Sequence, residues 1–539
     1  MQATRGIIKA CRYKTCLAVP DGSKLRRTPL RIEIPSMRYL VAVVAASAFS
    51  LQSGIVPAQV GQFPFVLTRE EQVLGVVQAG VASFKGIPYA SAPVGSLRWR
   101  PPQPAPESSE IRTAHEYGPP CQQPSMPGLG SYRASEDCLT LNVFRPFEIE
   151  DPLPVMIWIH GGSFVAGTAG DPLFDGSKLA QAGVIVITLN YRLGAFGWLA
   201  HPALAEGSSD GRIANYGMMD QIAALRWIHE NIRVFGGDPN NVTLFGTSSG
   251  ATSVALLMLC EQSRDLFQKA ILGSVPGRER VRTMEMAEAV GRQLLQAIGY
   301  DRNGPDPRAI DSEVLLAAER ILLAKSSRSF APTEDGMLVK EDIAAGFGTG
   351  RQNRIPLIVG SNEDETVFGS EPDFNEELSL AGASVDELRR FYPEASRNLA
   401  ELAARLYTDR VFTEPVRLVA RSHAATGSPT FRYRFSYVPE AQRAGSDGGR
   451  GRELQFIFGA EGVPGAGVFT DRDREVSNLL RAYWTTFAKT GDPNGPGLPH
   501  WETSSNREQL LLVSNVGISS SGDPWSERLD QLERRSLKW

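Results

Sequence analysis

The sequence predicts an α/β fold with a large, mostly parallel central sheet, helices on both faces and long insertions. Apolar runs that end in chemically distinctive loops carry this expectation. Val242-Thr243-Leu244-Phe245 leads into Gly246-Thr247-Ser248-Ser249-Gly250, and a helix-like run from Ala251 to Leu259 follows. Val155-Met156-Ile157-Trp158-Ile159 leads into His160-Gly161-Gly162-Ser163-Phe164. Ile355-Pro356-Leu357-Ile358-Val359-Gly360 leads into the acidic loop Ser361 to Thr366. Short, continuous apolar runs bounded by glycine and polar loops read as buried strands.

The first of these has the order strand, sharp turn, helix, which a nucleophile elbow requires. The pattern G-x-S-x-G puts a serine at the tip, where a substrate can reach its Oγ. Glycines on either side let strand and helix pass close together, since a Cβ there would crowd the turn. A pentapeptide of this kind also arises by chance in Ser/Gly-rich loops. The glycine turn upstream weighs against chance. Gly161, Gly162 and Ser163 would present backbone N–H groups to the oxyanion of a tetrahedral intermediate, and the N–H of Ser249 would add a further donor.

Here the chain resembles the type-B carboxylesterases and cholinesterase-like proteins of the α/β-hydrolase fold. The resemblance extends over nearly all residues after about Gly75. It rests also on Phe84-Lys85-Gly86-Ile87-Pro88-Tyr89, on Ser135 to Val143 and on Asn190-Tyr191-Arg192-Leu193-Gly194. Phe235 to Pro239 and Phe487 to Pro493 extend it toward the C-terminus. The elbow departs from the family, which usually has Glu at the place of Thr247 and Ala at that of Ser249. The first change removes an acid that makes supporting contacts; the second leaves the backbone donor in place.

In this fold the acid follows the serine and the histidine comes last. The resemblance implies that the acid is Glu365, which would orient an imidazole and stabilise its protonated form. Composition alone would make Glu363, Asp364 and Glu365 a solvated loop. The expected histidine is missing. Arg450-Gly451-Arg452-Glu453-Leu454-Gln455-Phe456-Ile457-Phe458-Gly459 matches the family segment except at its first residue. Arginine stays protonated and cannot accept the serine proton. His160 belongs to the glycine turn, and His115, His201, His229, His423 and His500 offer no obvious substitute. His229 and His423 fall in helix-like runs, and His500 in a Pro/Gly-rich loop. Several origins of Arg450 stay open: a sequencing error, an engineered knockout, natural loss of catalysis and, least favoured, a base moved elsewhere. Residues 454–458 are expected to form a strand, with the loop before it placing residue 450 near Ser248 and Glu365.

Bulk properties fit a packed enzyme. At 539 residues, 42% hydrophobic and 22% charged, the chain can bury a substantial core. A net charge of −4 gives no reason to expect nucleic acid or an anionic membrane as partner. No zinc spacing, phosphate loop or dinucleotide fingerprint occurs, so neither metal nor cofactor is expected. Residues 37–58 read as a signal peptide, with the apolar run Tyr39 to Phe49 too short for a typical span and cleavage after Ala58. An uncleaved anchor is the alternative. Residues 1–36 are then an upstream extension, and 59–539 a single domain. Export, to the periplasm or beyond, agrees with the pairing of Cys121 and Cys138 that the resemblance implies. Cys260, at the end of the elbow helix, is expected to be buried and unpaired.

The resulting expectation is a carboxylic ester hydrolase working through an acyl-serine, with small esters as substrates and its activity impaired by Arg450. The alternative is a non-catalytic binding protein on the same scaffold. Substrate identity and oligomeric state are not legible.

Overall fold

The computed structural model describes residues 63–536, apart from 125–132, 206–213, 302–303, 327, 367–371, 396–397, 443–451, 465 and 505–507. Residues 1–58, where an upstream extension and a signal peptide are expected, lie outside the described residues, as does Arg450.

Eleven strands form the main sheet. In chain order they are β1 (Val76–Gln78), β2 (Val81–Pro88), β3 (Thr140–Pro146), β4 (Leu153–Ile159), β5 (Ile185–Leu189), β6 (Gly237–Thr247), β7 (Lys269–Gly273), β8 (Leu357–Asn362), β9 (Thr430–Phe435), β10 (Gln509–Val513) and β11 (Ile518–Gly522). Across the sheet they run β11-β10-β9-β8-β7-β6-β4-β5-β3-β2-β1. From β10 to β5 every pairing is parallel; the outer pairings are antiparallel.

Strand β4 is apolar throughout because both of its faces are covered. Val155, Ile157 and Ile159 of β4 enter one core, while Met156 and Trp158 enter the other. Ala270 and Leu272 of β7 face the first core, and Ile271 the second. The helix Ser249–Leu259 covers the first face through Val254, Ala255 and Leu256. The helix Asp471–Thr490 covers the second through Val476, Leu480, Trp484 and Phe487. Its start is a capping box between Thr470 and Asp473, and it ends at Gly491 with φ +82°.

The stretch 454–458 is not a strand. Arg452–Phe458 is a helix, and every residue from Glu453 to Phe458 is buried. Leu454, Phe456, Ile457 and Phe458 all join the second core, and the Phe456 carbonyl accepts a hydrogen bond from Ser477 Oγ at 2.6 Å. An apolar run buried on all sides has no alternation to separate helix from strand.

Cys121 and Cys138 are joined in a disulfide, and Cys260 carries a buried thiol at the end of the elbow helix. No helix among the described residues is long and apolar enough to cross a membrane.

Candidate active site

Strand register brings the expected site residues to one edge. Ile159 of β4 lies beside Gly246 of β6, Gly246 beside Leu272 of β7, and Leu272 beside Val359 of β8. The glycine turn, Ser248 and the acid loop therefore leave the carboxyl ends of adjacent parallel strands together, where open α/β sheets bind their ligands.

Ser248 is held at φ 59°, ψ −126°, a conformation that costs a non-glycine residue energy. Its N–H donates to the Gly273 carbonyl at 2.9 Å. The flanking glycines are required by contact. A Cβ at Gly250 would lie 2.2 Å from the Ile159 carbonyl oxygen, and one at Gly246 would lie 2.6 Å from the Gly250 carbonyl carbon. The glycine turn packs on the same elbow, since a Cβ at Gly161 would lie 2.7 Å from the Thr247 carbonyl oxygen and 3.4 Å from Ser248 Cβ.

Gly162, Ser163 and Phe164 carry successive positive φ values of 115°, 55° and 65°. Turning the chain this way leaves the N–H groups of Gly162 and Ser163 without an acceptor among the described residues. Ser249 is the first residue of the elbow helix, and an N–H in a first helical turn has no intrahelical acceptor. These donors flank Ser248 and can take up charge on an oxygen bound there.

Glu365 is wholly buried, which excludes the solvated-loop reading. Ser274 Oγ donates to its Oε1 at 2.5 Å, and the Asn362 N–H donates to the same oxygen at 2.7 Å. The Glu365 N–H donates to Thr408 Oγ1 at 3.1 Å. One step along the chain links serine and acid: Gly273 receives the Ser248 N–H, and the next residue, Ser274, holds Glu365. Two residues before the acid, Glu363 is gripped by Arg405 Nη1 at 2.8 Å and Arg434 Nε at 2.6 Å.

The helix Arg452–Phe458 reaches the same place from the other face of the sheet. A Cβ at Gly273 would lie 2.5 Å from Thr247 Oγ1 and 3.3 Å from both Glu453 Oε1 and Tyr433 Oη. Tyr433 stays a neutral phenol, its ionisation opposed by burial and then by the charges of Glu453 and Glu365.

The histidines are engaged elsewhere. The ring of His160 stacks on Tyr191 at 4.6 Å, its Nδ1 lies 2.8 Å from the Gly161 carbonyl, and burial lowers it to about 4. His423 Nε2 donates to the Ile355 carbonyl at 2.7 Å. His115 stacks against Phe63, and His201 Nδ1 accepts from the Ala203 N–H. His229 and His500 are exposed.

Several contributors were not foreseen in the sequence: Ser274, Asn362, Thr408, Arg405 and Arg434. The one available signal was Ala270-Ile271-Leu272-Gly273-Ser274, another apolar run ending in Gly-Ser. Among the described residues no cluster of His, Cys, Asp and Glu could hold a metal ion.

Residues 62–521 match the model of the carboxylesterase family. The chain belongs to the carboxylesterase family. It is 37% identical over 495 residues to the para-nitrobenzyl esterase of Bacillus subtilis, covering 87% of this chain and 98% of that one. It is 34% identical over 510 residues to the fumonisin B1 esterase of Sphingopyxis macrogoltabida, covering 89% of this chain and 92% of that one. Among solved structures, a PNB esterase superposes with a TM-score of 0.76 at 34% identity, over 87% of this chain and 99% of the other. A Geobacillus stearothermophilus carboxylesterase does so with a TM-score of 0.73 at 31% identity, over the same shares. Membership assigns the chain to carboxylic ester hydrolysis as a class and to ester substrates.

Proposed function

We propose that this chain is an exported serine-type carboxylic ester hydrolase whose proton-transfer residue has been replaced by Arg450. Ser248 Oγ would attack the ester carbonyl carbon, and the N–H groups of Gly161 to Ser163 and of Ser249 would stabilise the resulting oxyanion. Collapse would expel the alcohol and leave an acyl-serine, which water would hydrolyse to the acid. Glu365 would orient the base at position 450 that both half-reactions need. The observation that carries the reading is the strained Ser248 packed on Gly161, with buried Glu365 joined to it through Gly273 and Ser274.

An arginine at 450, where the family has its histidine, would pair its guanidinium with the Glu365 carboxylate. The non-catalytic alternative draws its support from this substitution alone. Residues 37–58 would direct export, and the disulfide fits an oxidising compartment.

An organophosphonate ester with a fluorescent tag tests the reading. It should label the protein slowly at Ser248, faster in Arg450→His, and not at all in Ser248→Ala. Equal labelling in Ser248→Ala would remove Ser248 as nucleophile. No labelling of either serine-containing protein would favour the binding alternative.

A further inference from the structure

A second wholly buried carboxyl packs on the helix that holds the residue after the glycine turn, and it has no part in the chemistry just described. Glu319, in the helix Ser312–Leu323, is wholly buried. Its Oε1 occupies the space where a Cβ of Gly194 would be, 1.8 Å from that position, and Gly194 has a φ of +50°. The N–H of Ala195 faces the carboxyl without reaching hydrogen-bonding geometry, and no described donor does better.

Gly194 opens the short buried helix Gly194–Trp198. That helix holds Phe164 twice. The Gly194 N–H donates to the Phe164 carbonyl at 2.8 Å, and the Trp198 ring meets the Phe164 ring edge-on at 4.9 Å. Phe164 directly follows Gly162 and Ser163.

We propose that Glu319 is a positioning residue for the oxyanion turn: packed against Gly194 it seats the helix Gly194–Trp198, and that helix fixes Phe164 and the donors beside it. The inference rests on the esterase reading given above.

The surroundings of Glu319 favour the uncharged form. Arg320, on its own helix, acts on it weakly, and burial prevails and raises the carboxyl to about 8. The helix Gly194–Trp198 carries no ionisable residue. Arg282 binds the Trp198 carbonyl at 3.1 Å, at the opposite end of that helix. Arg98 lies over the Phe196 ring and is paired with Glu136. Glu288 and Arg292, on the adjacent helix Met284–Ala297, pair with each other at 3.5 Å. None of these supplies a counter-ion. Ionising Glu319 would therefore place a charge against a glycine Cα and a helix that cannot neutralise it, and the helix would have to move.

The experiment compares Glu319→Gln with the parent residue in two ways. The first is thermal unfolding of the full chain between pH 5 and pH 9. A buried acid raised from 4.5 to about 8 binds its proton more tightly when folded, so the parent loses stability as pH climbs through that window and the glutamine variant does not. The Tm of Glu319→Gln should gain on the parent by several degrees from pH 5 to pH 9; a constant gap overturns the proposal. The second uses the Arg450→His background with a p-nitrophenyl ester. There kcat should fall about tenfold between pH 7 and pH 9 as a group near 8 ionises, with KM unchanged, and Glu319→Gln should remove most of that fall. A fall that survives in Glu319→Gln overturns the positioning role. If Glu319→Gln does not fold, Glu319→Leu serves in both measurements with the same expected outcomes. An Arg450→His protein that neither turns over ester nor takes up the phosphonate shows instead that the esterase reading has failed. The Tm comparison still decides the buried titration.

Discussion

Ser274 offers a direct measure of how far Glu365 depends on its cradle. In Ser274→Ala one of two short hydrogen bonds to Glu365 Oε1 is lost, the 2.5 Å contact from Ser274 Oγ, while the 2.7 Å contact from the Asn362 N–H remains. Both residues are wholly buried, so water does not readily replace the lost donor. A hydrogen bond to a charged group contributes about 1.5–3 kcal/mol. If all of it serves to orient the acid in the transition state, kcat should fall about 10- to 150-fold. The assay is steady-state hydrolysis of a short-chain p-nitrophenyl ester in an Arg450→His background, where an imidazole is present to be oriented. KM should change little, because the buried Ser274 hydroxyl donates to the acid. A kcat within twofold of the Arg450→His protein, with the fold intact by circular dichroism, would refute the claim that this hydrogen bond fixes the acid.

Arg450→His itself should raise hydrolysis of the same ester by ~10³ or more, the scale expected for a triad histidine, and a correctly folded variant with unchanged activity would show that the base or the site geometry lies elsewhere. Burial holds His160 at about 4 against an ordinary value of 6.5, so the unfolded chain takes up the proton first as pH falls. Stability should therefore drop by up to about 3 kcal/mol between pH 6.5 and pH 4, and His160→Gln should flatten that drop in urea titrations. Cys121→Ser with Cys138→Ser opens a loop with a sequence separation of 17, which the chain-entropy account places at about 3 kcal/mol; denaturant midpoints under matched conditions would test it.

The legible part of the site was the part built from backbone constraints. Gly246, Gly250 and Gly161 occupy points where no Cβ fits, so their demand is written in the residue type itself. Continuous apolar runs marked β4, β6 and β8 because strands covered on both faces have no polar side to show. The cradle of Glu365 was not legible. Ser274 and Thr408 come from β7's exit and a distant helix, Arg434 of β9 holds the neighbouring Glu363, and their convergence is a product of strand order. Residues 454–458 read as a strand in the sequence but belong to the helix Arg452–Phe458, since a short segment buried on all sides carries no periodicity. Glu319 gave no signal either, because an acid in an amphipathic helix ordinarily faces water.

The state of the site bears on how Arg450 arose. Ser248 at φ 59° and the turn through Gly162, Ser163 and Phe164 hold strained backbone, at roughly 1–3 kcal/mol for each non-glycine residue. Glu365 is a wholly buried carboxyl whose hydrogen-bonded cradle does not serve the packing of either core. Each of these features costs stability, and in the proposed reading each serves acyl transfer. A chain long released from catalysis would gain by losing them: an alanine at 248 free to relax, a residue other than glycine at 162, an apolar residue at 365. Here Ser248, Gly162 and Glu365 are kept, while position 450 carries an arginine. That combination favours a recent or artificial replacement at 450 over long drift into a binding role. It also makes the restoring experiment informative, because a single side chain separates the two readings.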